Sequence, residues 1–215
     1  MKISYGITCC NEFVEIQRLV SFLLQHKRIQ DNIVILYDEV NGDPEIETYL
    51  RSHALNKEFA WHKGKFENNF ADWKNKLTSL CTGDYIFQID ADEIPNENLI
   101  FTLHEIIETN PELDMFLVPR VNTVEGLTPE HIAKWGWRVN DEGWVNWPDL
   151  QCRIWKNKPE LKWKNKVHEV LDGFKTYTAL PDVEYFALYH PKTIAKQEQA
   201  VKLYQTINPN VKEKL

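Results

Sequence analysis

Residues 33–37, Ile33-Val34-Ile35-Leu36-Tyr37, form an unbroken apolar run rich in β-branched side chains. A strand with one wet face alternates apolar and polar residues. A continuous run suits a strand covered on both faces, as in a parallel sheet. Residues 3–8 and 84–89 read as two more such strands. Between the first two, Phe13, Ile16, Leu19, Val20, Leu23 and Leu24 fall on one helical face, with Asn11 placed to cap it. Asp43-Pro44 starts a second helix, a cap residue followed by Pro at the first helical position, running to about residue 54. Residues 58–61 suggest a further strand, and residues 71–80 a helix that Gly83 would end. Residues 95–109 read as helix and 114–119 as strand. This alternation predicts an α/β domain with a mostly parallel sheet and helices on both faces.

The pattern changes after residue 120. Residues 121–148 are rich in Trp, Gly, Asn and Asp and lack periodicity. Residues 152–155 and 161–163 suggest a β-hairpin around Asn157-Lys158-Pro159, residues 183–189 a last strand, and 194–204 a closing helix before a polar tail from Asn208. All eight Trp fall between Trp61 and Trp163, which gives the middle of the chain a special core or a special task.

Composition removes several classes. Lys and Arg number 25 against 32 Asp and Glu, a formal net charge of −7, which argues against a nucleic-acid binder. No apolar run reaches the roughly 18 residues that span a membrane, and the first residues do not read as a signal peptide. The four Cys show no CxxC spacing, so neither a zinc site nor a disulfide framework is expected, and a cytoplasmic location is the simplest expectation.

The chemistry concentrates at Asp90-Ala91-Asp92-Glu93. In an open α/β sheet, ligands bind beyond the carboxyl ends of the strands. Asp90 and Asp92 stand at such an end, and on an extended backbone they point to the same side. Two carboxylates aimed together repel unless a cation or a shared proton relieves them, and a hard divalent ion, Mg²⁺ or Mn²⁺, commonly binds through one or two carboxylates plus substrate phosphates. The spacing alone is weak, since twelve Asp in 215 residues give about 0.7 such pairs by chance. Its position, after an apolar strand and before a helix, supplies the specificity.

These segments, with Ile7-Thr8-Cys9-Cys10-Asn11-Glu12, Asn69-Phe70-Ala71-Asp72-Trp73-Lys74-Asn75, Thr82-Gly83-Asp84-Tyr85, Cys152-Arg153-Ile154-Trp155 and Val167-His168-Glu169, resemble family-two glycosyltransferases with a GT-A fold. The likeness is to the branch related to lipopolysaccharide core transferases and runs over about residues 3–190. Asp38-Glu39-Val40-Asn41-Gly42-Asp43 departs from it, because the family usually has a Ser- and Gly-rich turn there. The resemblance implies a single GT-A domain: residues 1–119 bind the nucleotide sugar, 120–190 face the acceptor, and 191–215 form a C-terminal helix and tail. It implies a nucleotide-diphosphate sugar donor, most often a UDP-sugar, and a glycan or glycolipid hydroxyl as acceptor. Thr8, Asn11, Glu12, Asp38, Asp90 and Ala91 would then line the donor site, with a metal on Asp90 and Asp92. His190 would complete the metal site.

Asp72 and Lys74 open a helix just before the carboxylate strand, where Lys74 could approach the donor phosphates. His168 is a second candidate metal or phosphate contact. If the reaction inverts the anomeric centre, as the resemblance implies, a carboxylate must take the acceptor proton; Glu169 comes first, then Asp149 and Glu93. Trp135, Trp137, Trp144 and Trp147 read as an acceptor platform, because sugar C–H faces stack on flat aromatics. Lys156, Lys158, Lys162, Lys164 and Lys166, with Arg153, suit a phosphorylated acceptor or a lipid head group at a membrane surface. Two rivals are a metal-dependent nucleotidyltransferase, which would show a Gly-rich phosphate loop after the first strand, and a carbohydrate-binding module without catalysis.

Overall fold

The computed structural model describes residues 1–54, 56 and 58–210; residues 211–215, the end of the expected polar tail, lie outside it. The chain runs β1 (Ile3–Cys9), α1 (Phe13–His26), β2 (Asn32–Asp38), α2 (Pro44–Ala54), β3 (Ala60–Gly64), α3 (Phe70–Leu80), β4 (Tyr85–Asp90), β5 (Ile94–Pro95), α4 (Glu97–Thr109), β6 (Met115–Val118), β7 (Arg120–Glu125), α5 (Pro129–Trp135), β8 (Gln151–Lys156), β9 (Lys162–Lys164), β10 (Val170–Asp172), β11 (Tyr177–Ala179), β12 (Leu188–Thr193) and α6 (Ile194–Ile207).

Seven strands form one sheet in the order β11-β6-β8-β4-β1-β2-β3. Its β4, β1, β2 and β3 are mutually parallel, while β8 runs antiparallel between β4 and β6. The run at 33–37 behaves as its composition demands. Ile33, Ile35 and Tyr37 join a core with α1, α2 and α4, and Val34 and Leu36 join a second core with α3, β9 and β10. The α1 face buries Ile16, Leu19, Val20 and Leu23, each contributing about 1.5–3 kcal/mol relative to exposure.

Two small sheets complete the fold: β5-β12-β7, and the antiparallel pair β9-β10. The first lies beyond the C-terminal end of β4, because β5 follows Asp90 by a few residues. α6 then crosses the same end. Its Ile194 packs on the small core of Trp135, Trp137 and Val145, Lys196 pairs with Glu15 on α1, and Tyr204 meets Phe70 edge-on at 5.7 Å.

Several local expectations are corrected. Asn11 is not the cap of α1: Glu12 holds that position, and its carboxylate folds back to accept from the Cys10 and Asn11 N–H groups at 2.8 and 3.1 Å. Gly83 does not end α3, which stops at Leu80 with Cys81 extended. Gly83 is needed where the chain passes β1, since a Cβ there would lie 2.5 Å from the Ser4 backbone nitrogen. α4 begins at Glu97 rather than Pro95, because Asn96 caps it and Pro95 belongs to β5. The third strand is Ala60–Gly64, later than expected.

The expected hairpin does not form. β8 enters the large sheet, whereas β9 pairs with β10 and turns Trp163 into the second core. Residues 183–189 split into a 3₁₀ turn, Glu184–Phe186, and the start of β12, which extends to Thr193. The stretch without visible periodicity contains β7 and the seven-residue α5, opened by a Thr128–His131 capping box and closed by Gly136 in the left-handed region, φ 62°.

Candidate functional site

The cluster sits where β1 and β4 end and β12 passes. Thr8 and Asp90 are register partners across the β1–β4 pair. Asp90 accepts from Arg153 Nη2 at 2.6 Å, and the same nitrogen donates to Glu93 at 2.5 Å. Glu93 is fully buried and also accepts from Arg120 Nη1 at 3.0 Å and from the Asp90 N–H at 3.0 Å. Arg120 continues the chain, donating to Asp149 Oδ2 through Nε and Nη2 at 2.9 and 2.6 Å. Burial pushes the Asp90 carboxyl upward, but the Arg153 guanidinium, helped by Lys74, overcomes this and holds it far below the usual range.

Asn122 links this network to Asp92. Its Nδ2 donates to Asp149 Oδ2 at 2.8 Å, an oxygen that can only accept, so Asn122 Oδ1 must face His190 Nδ1, at 2.8 Å. That network assigns the ring proton to Nδ1 and leaves the Nε2 lone pair turned toward Asp92 Oδ2, 3.4 Å away. Two lone-pair donors facing each other call for a cation, a proton or a metal ion. Burial lowers the His190 pKa, and Lys192 and Arg120 add to it. The lowered pKa of Asp92, against its own burial, comes from a hydrogen bond and charge on His190. The two shifts oppose each other: burial and the two cations disfavour a second ring proton, while Asp92 favours one.

The remaining candidates fall into two groups. Near the cluster, Glu12 lies close enough for the Asp92 charge to add to the rise in its pKa that burial causes, and Ala91 is buried. Lys74 is buried, pairs with Glu169 at 2.5 Å, and lies 4.7 Å from the Trp163 ring centre. Of the others, Asn11 is exposed, its N–H donating to Glu12 at 3.1 Å, and Asp72 is exposed and accepts from Asn69, the α3 cap, at 2.5 Å. Asp38 is buried at the end of β2, its oxygens taken by Val40 N–H, Asn41 Nδ2 and Phe66 N–H. His168 is exposed and stands against the Tyr204 ring at 5.5 Å. Among the described residues, no group of three or more His, Cys, Asp or Glu side chains is arranged to hold a metal ion.

Glu93 is corrected as a base. With no exposed surface and two guanidiniums on it, its carboxylate cannot reach an acceptor hydroxyl. Trp135 and Trp137 are corrected as acceptor contacts, because they pack on each other, 4.6 Å between ring centres, in a core with Val145. Trp144 and Trp147 are half-buried and stand edge to face at 4.9 Å, two residues from Asp149 at their nearer end. The basic stretch is largely neutralised: Lys156 and Lys158 share Asp114, and Lys164 pairs with Asp172. No helix of the described residues is long and apolar enough to cross a membrane.

The sequence reading passed over Arg120, Asn122, Lys192 and Gln197, and saw Arg153 as part of a motif and of a basic stretch, without a carboxylate partner. A signal existed for Arg153, an arginine inside the apolar strand Cys152-Arg153-Ile154-Trp155, where burial demands a carboxylate partner. Another existed for Lys192, two residues beyond His190 and so on the same face of an extended chain.

No protein-family model matches the chain, and no curated protein matches it in sequence. Solved structures do. The chain superposes over 99% of its length on S. aureus TarS residues 1–349 in complex with UDP, with a TM-score of 0.61 and 12% identity, covering 68% of that chain. The same TarS fragment in complex with UDP-GlcNAc gives a TM-score of 0.62 at 13% identity. The fold is GT-A-like. On a longer TarS structure the TM-score is 0.61, and this chain spans 41% of that one.

Proposed function

We propose that the chain is a metal-assisted glycosyltransferase that moves a sugar from a UDP-sugar to a glycan or glycolipid hydroxyl, inverting the anomeric centre. The observation that carries this reading is the facing pair of Asp92 and His190, its tautomer set through Asn122, at the sheet end where Thr8 and Asp90 meet. The likeness of the fold to proteins crystallised with UDP and UDP-GlcNAc supports it.

The residues fit a hard divalent cation, Mn²⁺ or Mg²⁺. Asp92 and His190 would hold it, and when bound it would offset the charge that develops on the departing diphosphate. Asp90, tied on one oxygen by Arg153, keeps a partly exposed carboxylate beside Thr8 for the ribose. Asp149 is the proposed base. Three donors occupy its Oδ2, whereas Oδ1 accepts only from Gln151, at 2.7 Å, and so keeps a lone pair for an acceptor proton. Asp149 also adjoins the half-buried Trp144–Trp147 pair, which would stack the acceptor ring. Glu169 serves instead to hold Lys74 in place.

The test is calorimetric titration with UDP, with and without Mn²⁺, followed by a screen of UDP-sugars for slow hydrolysis. The expected result is metal-dependent UDP binding that Asp92→Ala abolishes. Asp149→Asn should keep UDP affinity within about twofold while transfer falls on the order of a hundredfold or more. Glycan binding with no nucleotide requirement would instead favour a binding module.

A further inference from the structure

Lys192 lies on β12 with its ammonium among charges that are already matched. Asp92 faces His190, Glu93 holds Arg153 and Arg120, and Asp149 holds Arg120. Each of those carboxylates acts on Lys192 electrostatically, yet among the described residues none pairs with it within ion-pair distance. Among the described residues its one hydrogen bond goes to Gln197 Oε1 at 3.4 Å, the outer limit of such a contact. An ammonium has three protons to donate.

Gln197, on α6, is 3% exposed. Its Oε1 must face the ammonium, so its amide nitrogen points elsewhere, and that nitrogen has no acceptor among the described residues. A half-buried cation and a buried amide donor thus stand together without a matching anion. Such groups are costly to leave unpaired, and an anion bound beside them would offset that cost. The three carboxylates nearby exclude a weak, diffuse one. They suit an anion that arrives with its own divalent cation.

We propose that Lys192, held by Gln197, is a second contact for the donor diphosphate, placed on the C-terminal strand beside the Asp92–His190 cation site. This inference rests on the reading of the chain as a UDP-sugar transferase. In it, Lys192 neutralises part of the charge that grows on the leaving phosphates, and Gln197 orients the ammonium. α6 then belongs to the donor site.

The experiment compares UDP, UMP and uridine by calorimetry in Mg²⁺ for the wild type, Lys192→Met, Lys192→Arg and Gln197→Met. Lys192→Met should lose on the order of tenfold or more in UDP affinity while uridine binding stays within about twofold, because the loss follows the phosphates. Lys192→Arg should retain most of the affinity, and Gln197→Met should lose a smaller factor. Mn²⁺ binding without nucleotide should be undiminished in Lys192→Met, since a repelling charge has gone, and its urea midpoint should match or exceed the wild type. UDP binding by Lys192→Met within twofold of the wild type overturns the inference and leaves the transferase reading intact, as does equal loss for UDP and uridine or a marked fall in stability. A wild type that binds no uridine nucleotide overturns both.

Discussion

Arg153 is the side chain on which the charged cluster depends most, and its removal has a calculable cost. It is 2% exposed and one of its nitrogens bonds both Asp90 and Glu93. Breaking a buried pair by deleting one partner costs about 3–5 kcal/mol, because a charge is left uncompensated. In Arg153→Met, Asp90 turns to solvent, while Glu93 keeps Arg120 and the Asp90 N–H. The loss therefore falls at the lower end, about 3 kcal/mol, out of a total of roughly 5–15 kcal/mol for a domain. Glu93→Met should cost a similar amount. Removing both leaves no orphaned carboxylate at 93, and the double variant should lose only about 3–4 kcal/mol, a coupling of about 2–3 kcal/mol. Urea titrations followed by fluorescence, with m-values compared, measure all three; fully buried Trp155 lies two residues from Arg153 and reports on the same strand. Single losses that add to the double within about 0.5 kcal/mol would refute the claim that these two charges are buried as a unit.

Two further outcomes follow from burial and charge. Trp135→Ala should lower stability by about 3–5 kcal/mol, whereas Trp144→Ala with Trp147→Ala should leave the unfolding midpoint nearly unchanged and weaken glycan binding; retained binding on a glycan array would remove the acceptor role. The Lys175 N–H and the Lys158 ammonium lower the Asp114 carboxyl from 3.8 to about 2, so the stability it adds is present above pH 4 and disappears as pH falls toward 2. Asp114→Asn should be less stable than the wild type at pH 7, by roughly 1–2 kcal/mol after allowance for solvent, with the difference closing near pH 2 in acid unfolding curves.

What could be read from the chain was whatever its neighbours in sequence determine. The doubly covered strand at 33–37, the helical stripe of α1 and the carboxylates at the end of β4 announce themselves through local period and position. The partners of those carboxylates do not. Arg153 lies 63 residues from Asp90 and Asn122 lies 68 from His190, so only the sheet order brings them together. β8 was mistaken for half of a hairpin because Asn157-Lys158-Pro159 has turn chemistry, yet both sides of β8 are taken by β4 and β6. α5 escaped notice because seven residues make too few turns to show a period, although Thr128-Pro129 carried the signature of a helix start. Trp135 and Trp144 are alike in composition and setting; what covers Trp135 is a small core that gathers Trp137, Val145, Val124, Leu127 and Ile132 with Ile194 from α6.

The position of β8 also constrains how the molecule is made. β4 and β6 emerge from the ribosome well before Gln151–Lys156, the strand that lies between them. Until then each presents an unpaired apolar edge, the kind of surface that recruits strands from other chains. A nascent polypeptide halted near residue 119 therefore has five of the seven strands of the large sheet but no continuous sheet, and completion waits for a segment that must insert antiparallel between two strands already in place. Slow, late closure of this kind is the expected result of joining residues so far apart in sequence, and it makes the growing chain a natural client for chaperones.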